Sequence, residues 1–426
     1  MLEGIKKLHF VGIGGVGMSA IAEVMLDKGY EISGSDLSES AVVKHLKAKG
    51  ATIYKGHDAL NVEGKEALVL SSAIHQDNPE LVAAKAKGLK LFHRSDILAY
   101  LLNDAKGIAV AGAHGKTTTS SMISVVLEHA KVDPTILIGG FVDYLKGNAK
   151  LGKSDYLVAA ADESDGSFLK FYPKIAVVTN IEDDHMDHYG SMENIIKAFI
   201  QFVQNLDKET GLAVLCFDNE NIRNIADKVD RKYISYALDH DADYMAKDIK
   251  IDGPHTSFTV IYKGEVLGDV ALNIPGKHNV LNALSAIAVA QTMRLNLDKV
   301  VEKLNEYQPP EMRQTVYHID DITVIDDSYN ASPDSVKSGI DVLCSLPNQG
   351  KKIAVLADMM ELGDMSEQAH FDTGVAVGST LTDVLITVGP RAVKIAEGAI
   401  SVKPDMTVVM CKNNQEAIHV LKEIVK

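Results

Sequence analysis

One stretch, Gly107-Ile-Ala-Val-Ala-Gly-Ala-His-Gly-Lys-Thr-Thr-Thr119, limits the folds open to this chain more than any other. Ile108 to Ala111 is an apolar run that reads as a buried strand. It feeds a glycine-rich turn, after which Lys116, Thr117, Thr118 and Thr119 open an apolar-periodic helix through Met122, Val125, Val126 and Leu127. Strand, turn and helix in that order make a phosphate loop. Backbone N–H groups at the turn and helix start point at an anion, Lys116 adds a full charge near the outer phosphates, and the Thr117 hydroxyl is placed for Mg²⁺. The pattern GxxxxGK[ST] is not strictly met, because Val110 stands where its first glycine belongs. The loop is the shorter Gly112-Ala-His114-Gly115-Lys116-Thr117.

A second glycine-rich turn lies near the start. Lys7 to Ile13 reads as a strand running into Gly12-Ile-Gly14-Gly15-Val-Gly17, with a helix from about Met18 to Lys28 and a second strand ending at Ser35-Asp36. Gly12, Gly14 and Gly17 match GxGxxG, and Asp36 is the acid about 20 residues on that a ribose hydroxyl would need. The turn is a nucleotide or nucleotide-sugar site, or else a purely structural tight turn. Strands at 52–54, 67–72 and 90–92 and a helix at 79–87 complete a small parallel unit closing near residue 103.

Beyond the phosphate loop, the strand Tyr156 to Ala161 ends in Asp162-Glu163-Ser-Asp165. The strand Ile175 to Asn180 leads to Glu182-Asp-Asp-His185-Met-Asp187-His188. Ligands sit at the carboxyl ends of parallel strands, so two such clusters beside a phosphate loop predict a Mg²⁺ and phosphate pocket with Glu163 and His185 as its leading ligands. Asp183, Asp184 and His188 fit either that pocket or a solvated loop. Further strands are expected at 211–217 and in an edge hairpin around Lys263-Gly264. Pro275-Gly-Lys-His278-Asn279-Val-Leu-Asn282 precedes an Ala-rich helix, 283–292, and is by itself equally a capping segment. A helix at 297–307 ends at Gln308-Pro-Pro310, a linker signal. From 311 onward, strands at 322–327, 352–356, 383–388 and 408–410 alternate with helices at 334–343 and 365–379, Ser332 or Asp334 capping the first. The expected fold is α/β: three consecutive domains with mainly parallel sheets, at 1–103, 104–308 and 311–426.

Composition excludes several classes. A net charge of −15, with no basic run, argues against a nucleic-acid binder. Nowhere do 18 apolar residues run together, and no leader pattern opens the sequence, so a cytoplasmic protein without a membrane span is expected. Cys216, Cys344 and Cys411 are isolated, which fits buried free thiols in a reducing compartment.

These motifs resemble the Mur ligase family. His9-Phe-Val-Gly-Ile-Gly-Gly-Val-Gly-Met-Ser, Gly34-Ser-Asp, Gly112-Ala-His-Gly-Lys-Thr-Thr-Thr, Ala161-Asp-Glu-Ser-Asp, Thr179-Asn-Ile-Glu-Asp-Asp-His-Met-Asp and Pro275-Gly-Lys-His-Asn-Val-Leu-Asn carry the likeness over residues 1–308, most closely to the alanine-adding branch. Residues 311–426 differ: Asp326-Asp-Ser-Tyr-Asn-Ala-Ser-Pro-Asp-Ser and Val355-Leu-Ala-Asp-Met-Met-Glu-Leu-Gly resemble the C-terminal domain of the sister branch that adds D-alanyl-D-alanine. The Asp-Tyr with paired histidines and the later His-Arg segment of the alanine-adding branch are missing. The sequence reads as a hybrid.

The resemblance implies an ATP- and Mg²⁺-dependent amide ligase of peptidoglycan precursor synthesis, in which a carboxylate is activated as an acyl phosphate and attacked by an amine. It implies Lys116 at the β/γ-phosphates with Gly112, His114, Gly115 and Thr118 around them, and Thr117, Glu163 and His185 as metal ligands. His278, Asn279 and Asn282 would lie on the adenine side, Arg313 would reach ATP, and Asp327 would hold the ribose. Gly12, Gly14, Gly15, Gly17, Asp36, Ser72 and, less strongly, His57 would hold UDP-N-acetylmuramate; Tyr329 and Asn330 would face the amine. The implied partners are that nucleotide-sugar and an amino acid or short peptide, in a monomer or weak homodimer. L-alanine is the favoured amine and D-alanyl-D-alanine the alternative. A P-loop ATPase without an amine site, a nicotinamide oxidoreductase resting on Gly12 to Gly17 alone, and a catalytically incomplete hybrid are the competing readings.

Overall fold

The structure, a computed structural model, describes residues 1–346 and 350–425. Its first sheet has five parallel strands in the spatial order Thr52–Lys55, Glu31–Asp36, Lys7–Val11, Ala67–Leu70, Lys90–His93. The order reverses beside Lys7–Val11, the strand that feeds the first glycine-rich turn, and a crevice for ligands opens at such a switch point. The helix Val16–Asp27 follows that turn, and Arg94–Asn103 closes the unit.

The second sheet has ten strands. Its centre is Lys106–Ala111, paired in parallel with Tyr156–Ala160 on one side and Ile175–Val178 on the other. The strand bearing the phosphate loop is therefore flanked by the two strands whose ends carry the acidic clusters. Each edge ends in antiparallel pairing, Thr135–Val142 with Gly147–Lys150 and the Tyr244–Asp252, His255–Tyr262, Glu265–Leu272 meander. The hairpin around Lys263-Gly264 is this outer edge. The Ala-rich helix begins earlier than its composition indicates: it spans Lys277–Thr292, with Gly276 as its N-cap.

The third region corrects one expectation. The strand at 322–327 does not lead a parallel sheet; Ile322–Asp326 pairs antiparallel with Thr315–Ile319 in a separate two-stranded hairpin. The parallel sheet there has three strands, Ile353–Ala357, Val384–Val388 and Thr407–Cys411. Ser332 rather than Asp334 caps the helix Pro333–Ser345, its side chain accepting from the Ser335 N–H.

Core packing divides the chain unequally. One continuous apolar cluster runs from Leu2 to Tyr307, so the first two sheets share a core. Polar bonds reinforce that joint: Asn148 Nδ2 donates to the Val16 carbonyl at 2.6 Å, and Lys170 Nζ to Asp96 at 2.6 Å. Residues 340–424 build two clusters of their own, on opposite faces of the three-stranded sheet.

Candidate active site

The phosphate loop owes its shape to glycine. Gly112 has φ +138°, and a Cβ there would lie 2.2 Å from Thr179 Oγ1. Gly115, φ +81°, caps the helix Lys116–His129 and would drive a Cβ to 2.8 Å from Asn282 Oδ1. The end of the neighbouring strand Ile175–Val178 then clamps the loop. Asn180 Oδ1 accepts the His114 N–H at 2.8 Å, while Thr179 Oγ1 donates to the His114 carbonyl at 2.6 Å.

Lys116 lies across this loop. Its Nζ donates to the Gly112 carbonyl at 2.5 Å, to the Ala113 carbonyl at 3.2 Å and to Glu163 Oε1 at 2.6 Å. Glu163 is 3 % exposed. Burial pushes its carboxyl upward from the ordinary range against the pull of Lys116. Its second oxygen, Oε2, is buried without a hydrogen-bond partner. His185 Nε2 lies 3.7 Å from Glu163 Oε1 and 3.7 Å from Asp184 Oδ2. A buried carboxylate with one unsatisfied oxygen, an imidazole near its other oxygen, and the Thr117 hydroxyl on the same cavity wall as that imidazole make a donor set that suits a hard divalent cation. Among the described residues no three His, Cys, Asp or Glu side chains converge as a complete metal site. Phosphate oxygens and water would have to supply the rest of the shell, as Mg²⁺ commonly requires.

Lys116, Thr117 and His185 open into a cavity of about 790 Å³ that all three regions line, with Gly112 and Glu163 buried behind its wall. From the sequence-derived set, Gly17, His114, Gly115, Lys116, Thr117, Thr118, His185, His278, Asn279, Asn282, Arg313, Asp327, Tyr329 and Asn330 all face it. Asn282 joins two segments: its Oδ1 accepts from Thr119 Oγ1 at 3.0 Å, and its Nδ2 donates to Asn279 Oδ1 at 3.1 Å. His278, paired with Ser338 Oγ at 2.9 Å, is pushed down to about 4 by burial and is therefore neutral at pH 7. Arg313 stacks 4.1 Å from the Tyr329 ring centroid and reaches Thr117 Oγ1 at 3.5 Å, with its own Nε buried and unpartnered. Asp327 is raised by burial and accepts from Gln314 Nε2 at 3.4 Å.

Gly12, Gly14, Gly15, Asp36, His57 and Ser72 lie outside the cavity wall. Asp36 is engaged by the turn itself, accepting the Gly14 N–H at 2.8 Å and the Ser38 N–H at 3.0 Å. His57 Nδ1 lies 2.9 Å from Glu80 Oε2. Burial would raise that carboxyl, but His9, Ser35, Asn61 and His57 hold it at about 2. Ser72 Oγ lies 3.4 Å from His93 Nε2 and 3.5 Å from Asp165 Oδ2, where the first two regions meet.

Among the cavity residues that the sequence did not single out are Arg94 and Glu361. Arg94, beside Gly17, pairs with Asp162, a half-buried carboxyl that desolvation would raise but that Arg94 and Ser164 draw down to about 2. Glu361 faces His185, with Oε2 3.4 Å from Nδ1. Asp162 and Glu361 lie in segments quoted for the resemblance; Arg94 lies in none.

Family models cover nearly the whole chain: one described as the Mur ligase family catalytic domain over residues 7–106, the Mur ligase middle domain over 110–290, and the Mur ligase glutamate ligase domain over 312–426. The chain belongs to the Mur ligase family. This Mur ligase is 46 % identical over 341 residues to the UDP-N-acetylmuramate–L-alanine ligase of Dictyoglomus turgidum, spanning 79 % of this chain and 73 % of that one. The crystal structure of a UDP-N-acetylmuramate–alanine ligase from Thermotoga maritima aligns with TM-score 0.80 at 27 % identity over 95 % of this chain and 90 % of the other. The structure of a UDP-N-acetylmuramoylalanyl-D-glutamyl-2,6-diaminopimelate–D-alanyl-D-alanyl ligase from Acinetobacter baumannii shares the fold at TM-score 0.64 and 20 % identity, over 93 % and 85 %. Among the described residues of this Mur ligase, no helix is long and apolar enough to cross a membrane.

Proposed function

We propose that this Mur ligase joins the carboxylate of UDP-N-acetylmuramate to the amine of L-alanine at the expense of ATP. The observation that carries the reading is the single cavity walled by the helix after the first glycine-rich turn, the phosphate loop and residues 313–335. The relatives' activity, and their identity over most of the chain, support it.

In this reading residues 1–103 hold the nucleotide-sugar, 104–308 hold ATP, and 311–426 close over both with the amine. When bound, ATP and Mg²⁺ supply the phosphoryl group that activates the carboxylate and the charge that steadies its transfer. Lys116 leaves the loop carbonyls for the β/γ-phosphates, its charge offsetting what develops in transfer. Thr117, Glu163 and His185 hold the metal. Asn279, Asn282 and neutral His278 border the adenine side; Arg313, fixed on Tyr329, reaches the phosphates, and Asp327 takes the ribose. The closed third region excludes water from an activated carboxylate that water would destroy. Tyr329 and Asn330 face the amine. The enzyme is cytoplasmic and a monomer or weak homodimer.

D-alanyl-D-alanine is the second candidate amine, on the strength of the segments Asp326–Ser335 and Val355–Gly363. Phosphate release from Mg·ATP with UDP-N-acetylmuramate decides between them. Turnover that needs both the sugar and L-alanine is the expected result. Release indifferent to any amine would overturn the ligase reading.

A further inference from the structure

Three side-chain-bearing residues of the cavity, Gln314, His185 and Glu361, hold a backbone conformation that side chains rarely adopt, and the last two face each other. His185 has φ +54° and Glu361 has φ +63°. Each such residue is strained and persists only where its surroundings enforce it. His185 follows a strand of the central sheet; Glu361 follows the first strand of the three-stranded sheet, in a separately packed body. Glu361 Oε2 lies 3.4 Å from His185 Nδ1, while Nε2 on the other side of the ring lies 3.7 Å from Glu163 Oε1. The His185 side chain is 14 % exposed and that of Glu361 62 %, so the carboxylate reaches in from the solvent side to a ring already enclosed.

We propose that Glu361 is the positioning residue of His185: it engages Nδ1, aims Nε2 at the Glu163 side, and so completes the divalent-cation site only when residues 312–426 are docked. The inference rests on the metal-site reading of Glu163 and His185. A ligating histidine whose other nitrogen meets a carboxylate is fixed in tautomer and ring orientation, and loss of such a partner typically weakens metal binding 10- to 100-fold. No other carboxylate of the described residues forms an ion pair with His185 Nδ1; Asp184 and Glu163 both lie on the Nε2 side. The third region therefore contributes a metal-organising group, besides closing the cavity.

The test is a Mn²⁺ titration followed by electron paramagnetic resonance, on the whole chain with a non-hydrolysable ATP analogue, for Glu361→Ala, Glu361→Gln and Glu163→Ala. Long-range ¹H–¹⁵N spectra of labelled histidine report the His185 tautomer in the metal-free protein. Glu361→Ala is expected to weaken Mn²⁺ about 10-fold and to let the His185 tautomers mix. Glu361→Gln, which retains an acceptor for Nδ1–H, recovers most of both. Unchanged affinity and tautomer in Glu361→Ala, with Glu163→Ala much weaker, would overturn the positioning role and leave the metal site standing. Unchanged affinity in Glu163→Ala would overturn the metal-site reading instead.

Discussion

Lys116 and Glu163 form a pair whose members need each other for different reasons. The lysine holds a positive charge at the mouth of the loop, and the carboxylate, 3 % exposed, has no water to solvate it. Lys116→Ala should cut phosphate release at least roughly 100-fold while the fold survives, because Glu163, already pushed upward by burial, takes up a proton instead of remaining an unpaired buried charge. Steady-state assay with circular dichroism checks this; a folded, active variant would remove Lys116 from the phosphates. Such residues were legible because their spacing is local: Gly112 to Thr119 is one turn and one helix start. Other cavity contacts were not, since folding alone creates them. Arg94 meets Asp162 across 68 residues, and Ser338 meets His278 across 60, with no periodicity or motif to announce either. Asp36 was legible as an acid at the right spacing, but its engagement with the Gly14 N–H could be seen only in three dimensions.

At the scale of elements, most strands announced themselves as short apolar runs, and two segments show why others did not. Tyr244–Asp252 alternates burial at its start and then turns outward with Lys247, Asp248 and Lys250, so its composition resembles a loop. The hairpin Thr315–Ile319 with Ile322–Asp326 is largely exposed on both strands, which removes the pattern that distinguishes an edge from a core strand. Two interactions between elements yield measurable consequences. The helices Ser366–Gly378 and Val393–Val402 cross with their backbones in contact: a Cβ on Gly398 would sit 2.0 Å from the Phe371 carbonyl oxygen, and one on Gly374 2.0 Å from that of Ile395. Gly398→Ala should therefore destabilise the third region by about 2–3 kcal/mol, splitting calorimetric unfolding into an early transition of that region and an unchanged one for the shared core. The second interaction lies where the helix Pro333–Ser345 begins. Glu182 is pushed up to about 7 by burial and by the carboxylates of Asp334 and Asp183. Folding thus takes up a proton there; the stabilisation is complete below the free-glutamate value of about 4.5 and is lost as pH rises through about 7. Glu182→Gln keeps an acceptor for Asn219 Nδ2 without the charge. Discounted for solvent on its open side, it should add about 1 kcal/mol, or about 2–4 °C in Tm, at pH 8.5 and nothing at pH 4.

For the whole molecule, the division of the core sets how the parts can move. Residues 2–307 pack as one body and the third region as another, so the chain between them, Gln308-Pro309-Pro310, is the hinge we propose. It is held at both sides. The Glu311 N–H donates to the Phe141 carbonyl at 3.4 Å, Thr315 Oγ1 to the Pro310 carbonyl at 3.4 Å, and Met312 and Gln314 have φ of +58° and +53°. Past this segment the described residues hold the third region over the cavity by polar contacts such as Arg313 to Thr117, Ser332 to His114, Ser338 to His278 and Glu361 to His185. Contacts so polar leave the closed arrangement dependent on how tightly the linker confines the two bodies. Two prolines keep the backbone near one orientation, whereas glycines would let it sample many, diluting the population in which Arg313 stands at the phosphate loop. Replacing both Pro309 and Pro310 by glycine should lower kcat and raise KM for ATP together, each roughly 3- to 10-fold, because the apparent affinity scales with the closed fraction. UDP-N-acetylmuramate binding, assigned to residues 1–103 within the other body, should stay unchanged by calorimetry. Equal weakening of both nucleotides would mean that the prolines support the shared core, and unaltered kinetics would mean that the polar contacts alone determine closure.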